Sequence, residues 1–206
     1  MLMRGKRHKT EFPLKGRVVF FATGNIHKFN EARDILTGLD IAVGMLRTKD
    51  TEIQSDSLIE ISRASALDAF ERCRLPVLVE DAGLFIDSLN GFPGPYAAYA
   101  YKTIGNRGLL KLMKSSKNRK ARFWSVIAYC DGGSYLPVCF EGEAEGDITV
   151  VERIGSNKSG FGFDPIFQPD GSVKTFAEMT LEEKNGFSHR AKAVRKFAEW
   201  YKRLKL

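Results

Sequence analysis

The sequence predicts an α/β fold in which a mixed central sheet is flanked by helices. Three observations lead there. In roughly the first eighty residues, short continuous apolar runs alternate with segments of helical period. After residue 122 that alternation gives way to two strand-like segments across Asp131-Gly132-Gly133, a hairpin signal. No Pro- or Ser-rich linker divides the middle of the 206-residue chain, so it reads as one domain.

Taken in order, the apolar run Val18–Ala22 reads as a buried strand bounded by Thr23-Gly24. Residues 28–36 place Phe29, Ala32, Ile35 and Leu36 at helical spacing, and residues 41–45 read as a second strand. Residues 48–57 are polar and acidic, a loop. Residues 58–72 read as a helix with Leu58, Ile61, Ala64, Leu67 and Phe70 or Ala69 turned inward. Residues 76–80 form a buried strand ending on Asp81, and a separate short strand is expected at 84–89. Residues 90–96, dense in Gly and Pro, must be a shaped loop. A helix over 99–114 breaks near Gly105. The hairpin strands are expected at 122–130 and 135–141, with a further strand at 147–153. Residues 160–167 form a glycine-aromatic segment entering a strand. Thr180 and Glu183 fit a capping box, and residues 188–204 form the last helix, with Ala191, Val194, Phe197, Ala198 and Tyr201 on one side.

Charge is unevenly placed. Residues 1–17 hold Arg4, Lys6, Arg7, Lys9, Lys15 and Arg17 against Glu11, a net +5. The whole chain carries +7, so the other 189 residues carry only +2. Residues 1–16 are read as a basic extension and 17–206 as the folded domain. A nearly neutral body argues against a nucleic-acid coat. The scattered cysteines Cys73, Cys130 and Cys139 make no metal spacing and read as reduced thiols. No apolar run approaches the roughly 18 residues that span a bilayer. A cytoplasmic protein without membrane attachment is expected.

Four segments carry candidate chemistry. Thr23-Gly24-Asn25 with Lys28 joins a buried strand to a helix, where backbone N–H groups and a lysine attract phosphate oxygens. It is not a Walker loop, since Gly-x-x-x-x-Gly-Lys is absent. Glu80-Asp81 places two carboxylates at a strand end, a setting for a hard cation such as Mg²⁺, with Glu52 able to add a ligand. Gly160-Phe161-Gly162-Phe163-Asp164 offers an aromatic face to a flat ligand and a carboxylate to its N–H groups. Lys184 and Ser188-His189-Arg190 bring cations to a helix start, where Arg190 can hold a carbonyl or a phosphate through parallel bonds. Phosphate cradle, carboxylates, stacking loop and cations together are the parts of a nucleotide enzyme. The rival readings are a pyrophosphatase for modified pyrimidine nucleotides, a basic RNA- or DNA-binding module, and a nucleotide sensor without turnover.

In order, Thr23-Gly24-Asn25 with Lys28, Glu52-Ile53-Gln54, Val79-Glu80-Asp81 with Gly83-Leu84, and Gly91-Phe92-Pro93-Gly94-Pro95-Tyr96 are followed by Gly160 to Phe167, Thr175 to Met179, Glu183-Lys184 and Ser188-His189-Arg190. Over residues 17–203 this series resembles the inosine triphosphatase, or Ham1-like, family. The resemblance implies an elongated two-lobed α/β fold around a cleft, usually a homodimer. It implies Mg²⁺-dependent hydrolysis of ITP, dITP and XTP to monophosphate and pyrophosphate, which cleanses the nucleotide pool. By position, Thr23, Gly24, Asn25 and Lys28 would hold phosphates. Glu52 and Asp81 would serve the metal, and Asp81 would take a proton from the attacking water. Ala82, Phe161, Gly162, Phe163, Asp164, Lys184, His189 and Arg190 would line the nucleotide site. Arg190, and His189 when protonated, would read a carbonyl at purine C6 as donors.

Three places depart from the family pattern. Ala82 stands where Ser often follows the Asp, Ser65 where a Lys is common, and Ala97-Ala98 where Arg or Lys often follows the Gly-Pro-Tyr turn. Two alternatives follow: weaker phosphate binding, or use of Lys102 or Lys158 for those contacts.

Overall fold

The computed structural model describes residues 17–47, 53–156 and 160–204. The basic extension 1–16, Glu52 and Lys158 lie outside the described residues. The apolar run VVFFA forms strand β1 (Val18–Ala22), and Asn25 then starts helix α1 (Ile26–Thr37) by accepting from the His27 and Lys28 backbone N–H groups. Strand β2 (Ala42–Leu46) returns parallel to β1. Ser57 caps helix α2 (Leu58–Cys73), which closes on Arg74 in the left-handed region. Strand β3 (Val77–Ile86), the short β4 (Pro93–Gly94), helices α3 (Ala97–Thr103) and α4 (Gly105–Leu112), and the long hairpin β5 (Lys120–Cys130) and β6 (Val138–Ile148) follow. A single helical turn at Asp164–Ile166 leads into β7 (Phe167–Pro169). Helices α5 (Leu181–Phe187) and α6 (His189–Arg203) complete the chain, the first opened by the Thr180–Glu183 capping box and the second by the Ser188 side chain.

The sheet order is β2-β1-β3-β5-β6-β7, with β4 on the edge of β3. β1 pairs with β2 and β3 in parallel, and the β3-β5-β6-β7 pairings are antiparallel, so the expected mixed sheet is present. One core packs α1 and α6 on the sheet through Phe21, Leu36, Val194, Phe197 and Tyr201. A second core gathers Leu84, Ile86, Leu109, Phe123, Phe167 and Phe176 at the far end of the same strands. A third lies beneath α2 around Ala66, Ala69, Val79 and Ala128.

Three sequence expectations change. β3 is one ten-residue strand, not a strand ending on Asp81 and a second at 84–89. Asp81, Ala82 and Gly83 keep extended pairing to Val126, Ser125 and Trp124, which carries the strand through the polar stretch. The strand expected at 147–153 is instead the end of β6, which stops at Ile148. On α2 the buried stripe runs Leu58, Ile61, Ser62, Ser65, Ala66 and Ala69, while Ala64, Leu67 and Phe70 are only half-buried. After Leu58 and Ile61 the inward positions are the small Ser62, Ser65, Ala66 and Ala69, so along that part of the helix small size accompanies burial.

The two ends of β3 have different neighbours on one edge. β1 pairs only with Val77 and Leu78, and β4 only with Leu84 and Phe85. Residues 79–83 between them keep β5 alone as partner, and the cleft opens along that gap. Gly83 is required there, because a Cβ would lie 2.6 Å from the Gly94 carbonyl oxygen.

Candidate active site

Two cavities meet at this gap. The first, about 310 Å³, is floored by Phe123, His189 and Arg190 and walled by the loop Phe161 to Asp164. Asn25, His27 and Lys28 border it from α1, and Ala97, Ala98, Tyr101 and Lys102 from α3. The second, about 380 Å³, contains Asp81 with Gln54, Leu58, Ile61, Tyr96 and Tyr99. Lys28, Ala82 and Ala98 line both and mark the junction.

Strand pleating separates the two adjacent carboxylates. Asp81 faces α2, where the Ser62 hydroxyl lies 3.2 Å from its Oδ2 as donor. Glu80 faces α6, is buried, and accepts from Ser125 Oγ at 2.7 Å. Glu80 is also 2.9 Å from Lys28 Nζ and 3.1 Å from Arg190 Nε, the latter an ion pair without hydrogen-bond alignment. Burial pushes the Glu80 carboxyl up, but Arg190 and Lys28 outweigh it and hold the group well below the usual carboxylate range. The sequence expectation of a Glu80-Asp81 metal pair is therefore corrected. Glu80 is a fixed counter-ion, and Asp81 alone of the two reaches the cleft.

The cations expected at the start of the last helix are charge-balanced within the protein. Lys184 is buried, 2.6 Å from Glu31 and 2.8 Å from Asp164, and lines neither cavity. Arg190 is buried between Glu31 and Glu80. Each of its terminal nitrogens keeps a second N–H beyond these contacts. The three acids Glu31, Glu80 and Asp164 thus match the three cations Lys28, Lys184 and Arg190. Desolvation raises the Glu31 carboxyl, yet Arg190 and Lys184 bring it down to about 2. Glu31 was absent from the sequence-level site. Its signal was an acid three residues after Lys28 beside the apolar stripe of α1, where it is 5% exposed.

His189 stacks on Phe123 at 4.7 Å between centroids with 10° between planes. Burial, with Arg190 beside it, depresses its pKa well below 6.5, and Nδ1 has no hydrogen-bond partner among the described residues. The ring is neutral at ordinary pH, so it has one donor and one acceptor nitrogen instead of two donors. Asp164 accepts from the Phe161 N–H at 2.8 Å, which shapes the loop. Gly160 and Gly162 adopt φ of +104° and +61°, a region that glycine enters freely. The Phe161 ring stacks on His27 at 5.2 Å, and Phe163 meets Tyr101 edge-on at 5.5 Å.

The α1 entrance differs from expectation. The Asn25 side chain already accepts from the His27 and Lys28 N–H groups, so these are not open to phosphate until Asn25 moves. Thr23 is buried, with Oγ1 accepting from the Asn25 N–H, and among the described residues neither Thr23 nor Gly24 lines these two cavities. A Cβ at Gly24 would meet nothing within 4 Å, so the local fold does not need the glycine. Of the departures, Ala82 and Ala98 sit at the cavity junction, whereas Ser65 is buried with its hydroxyl unpartnered among the described residues.

An Mg²⁺ ion takes few protein ligands, one or two carboxylates beside substrate phosphates. A half-buried Asp81 in a polar-edged cavity fits that demand. Among the described residues there is no group of three or more His, Cys, Asp or Glu side chains that would form a full protein cage. Nor is any helix among them long and apolar enough to cross a membrane.

The Ham1 family model matches residues 19–200. A dITP/XTP pyrophosphatase of Methanopyrus kandleri is 52% identical over 184 residues, covering 89% of this chain and 96% of that protein. The dITP/XTP pyrophosphatase of Thermococcus kodakarensis is 48% identical over 182 residues, or 88% and 96% of the two chains. Among solved structures, a HAM1 protein from Coxiella burnetii superposes with a TM-score of 0.79 at 27% identity, covering 91% of this chain and 100% of that one. The Ham1 protein of Staphylococcus aureus gives 0.77 at 26% identity, covering 90% and 98%.

Proposed function

This chain belongs to the Ham1 family, and we infer that it is a nucleoside triphosphate pyrophosphatase acting on aberrant purine nucleotides such as dITP, ITP and XTP. The observation that carries this reading is the pairing of two joined cavities within a match that spans nearly the whole chain. One cavity is aromatic with a charge-balanced floor, and the other holds Asp81.

The base belongs in the first cavity. Phe161 offers an apolar face, and Arg190 and neutral His189 offer donors and an acceptor to a purine with a C6 carbonyl. An adenine amino group at C6 would face the remaining Arg190 N–H groups donor to donor. Because Arg190 is already neutralised by Glu31 and Glu80, it suits an uncharged carbonyl better than a phosphate. The triphosphate extends across the Lys28–Ala82–Ala98 junction into the second cavity. There Lys28, and the α1 N–H groups after movement of Asn25, meet phosphate oxygens.

Mg²⁺ is the cofactor in this reading: Asp81 would hold it, with Glu52 as the second expected ligand, and it would neutralise phosphate charge and acidify water. Asp81 accepts the proton of a water directed at the α-phosphorus, and Ser62 orients its carboxylate. Bond breakage between the α- and β-phosphates releases monophosphate and pyrophosphate. The remaining assignments are a homodimer in the cytoplasm, a catalytic domain over 17–206 and a dispensable extension over 1–16.

Phosphorus NMR of dITP and XTP turnover with Mg²⁺ tests the reading. Pyrophosphate should be the first product, and Asp81→Asn should lose at least ~10²-fold in kcat with an unchanged circular dichroism spectrum. Diphosphate plus orthophosphate as products, or normal turnover by Asp81→Asn, would overturn it.

A further inference from the structure

We propose that Lys102 on α3 binds the phosphate adjoining the sugar from across the cleft and so sets affinity for the nucleotide over the nucleoside. This rests on the pyrophosphatase reading above.

The first support is charge. Every other lysine or arginine lining the first cavity has a carboxylate partner. Lys28 is paired with Glu80, and Arg190 with Glu31 and Glu80. Lys184, just outside, is held by Glu31 and Asp164. His189 is neutral. Lys102 lines the same cavity, is exposed, and has no ion pair or hydrogen bond among the described residues. An incoming anion meets one uncompensated cation there without first breaking an ion pair.

The second support is position. With the base on Phe161 and His189 and the reacting centre at Asp81, the α-phosphate falls at the junction of the two cavities. Ala98 lines that junction from α3, and Lys102 follows it by four residues on the same helix face. Ala82, Ala97 and Ala98 line the same cavity with methyl side chains, and the long flexible lysine stem can reach toward the junction. The two alanines at 97 and 98 leave this part of α3 without a cation nearer the phosphates.

The third support is that Lys102 has no structural role to compete with binding. Its side chain is exposed and makes no hydrogen bond or ion pair among the described residues, so its removal should leave the fold intact.

The test is calorimetric binding of inosine and inosine monophosphate to wild type, Lys102→Ala, Lys102→Glu and Lys102→Arg, with dITP turnover measured alongside. Lys102→Ala should weaken the monophosphate about fivefold, within the range of an exposed ion pair, and Lys102→Glu by more than about tenfold. Lys102→Arg should restore most of the loss. Inosine should bind all four proteins alike. The wild-type monophosphate affinity should fall more steeply with NaCl than that of Lys102→Ala. In turnover, KM for dITP should rise while kcat stays within about twofold.

Unchanged monophosphate affinity in Lys102→Ala and Lys102→Glu, with wild-type dITP turnover intact, overturns this proposal alone. Equal loss for inosine and its monophosphate also overturns it, because Lys102 would then serve the base or sugar. A wild-type protein that hydrolyses neither dITP nor XTP overturns the functional reading instead.

Discussion

Replacing Glu31 by Gln should destabilise the protein far more than an ordinary polar substitution on a helix. Glu31 is 5% exposed and joins Lys184, at 2.6 Å, to Arg190. Its carboxyl titrates at about 2 against an ordinary 4.5, because the two cations outweigh the desolvation that would raise it. That difference corresponds to roughly 3 kcal/mol. Removing one member of a buried ion network independently gives about 3–5 kcal/mol, since the remaining charges stay buried without their partner. At roughly 2–4 °C per kcal/mol for a chain of this length, the melting temperature should fall by about 6–20 °C at pH 7. The sign with pH follows from the lowered pKa. The Glu31 contribution is complete above pH 4.5 and is lost as pH falls toward 2. Thermal denaturation followed by circular dichroism should therefore show wild type losing stability over that interval and Glu31→Gln losing less. A melting shift under about 2 °C at pH 7, or parallel acid profiles, would refute the idea that Glu31 anchors the cluster.

Other expectations are as direct. His189 has a folded-state pKa well below 6.5, so the unfolded chain binds the extra proton and stability falls as pH drops below 6.5. Wild type should melt lower at pH 5.5 than at 7.5, and His189→Gln should narrow that gap; an unchanged gap would point to another titrating group. Gly142→Ala should cost about 3 kcal/mol or more, measured by urea denaturation, because its Cβ would lie 2.1 Å from the His189 carbonyl oxygen and push α6 from the sheet. Gly24→Ala meets nothing within 4 Å and should leave the melting temperature unchanged while raising KM for dITP; an unaltered KM would show that the substrate stays clear of this turn. Deleting residues 1–16 should leave melting and turnover unchanged, and a deletion that unfolds the domain would refute its treatment as an extension.

Features that depend on local pattern were legible in the chain alone. Continuous apolar runs gave β1 and the first half of β3, a 3.6-residue period gave α1 and α6, and the Thr180–Glu183 spacing gave a capping box. The ordered motifs also identified the family, because a motif is a sequence object. Tertiary structure decided what depends on long-range partners. Nothing near Asp81 in the chain says that strand pairing continues through it, since its register comes from Val126, forty-five residues later. Glu80 and Asp81 read as a metal-binding pair until pleating sends one to Arg190 and the other to the cleft. That Lys184 and Arg190 are charge-balanced by Glu31, Asp164 and Glu80 is also invisible in the sequence. The protonation of His189 likewise awaited its burial against Phe123. The physical reason is the range of the forces involved. Periodicity and capping act over a few neighbouring residues, whereas desolvation and ion pairing depend on which charges the fold brings together and removes from water.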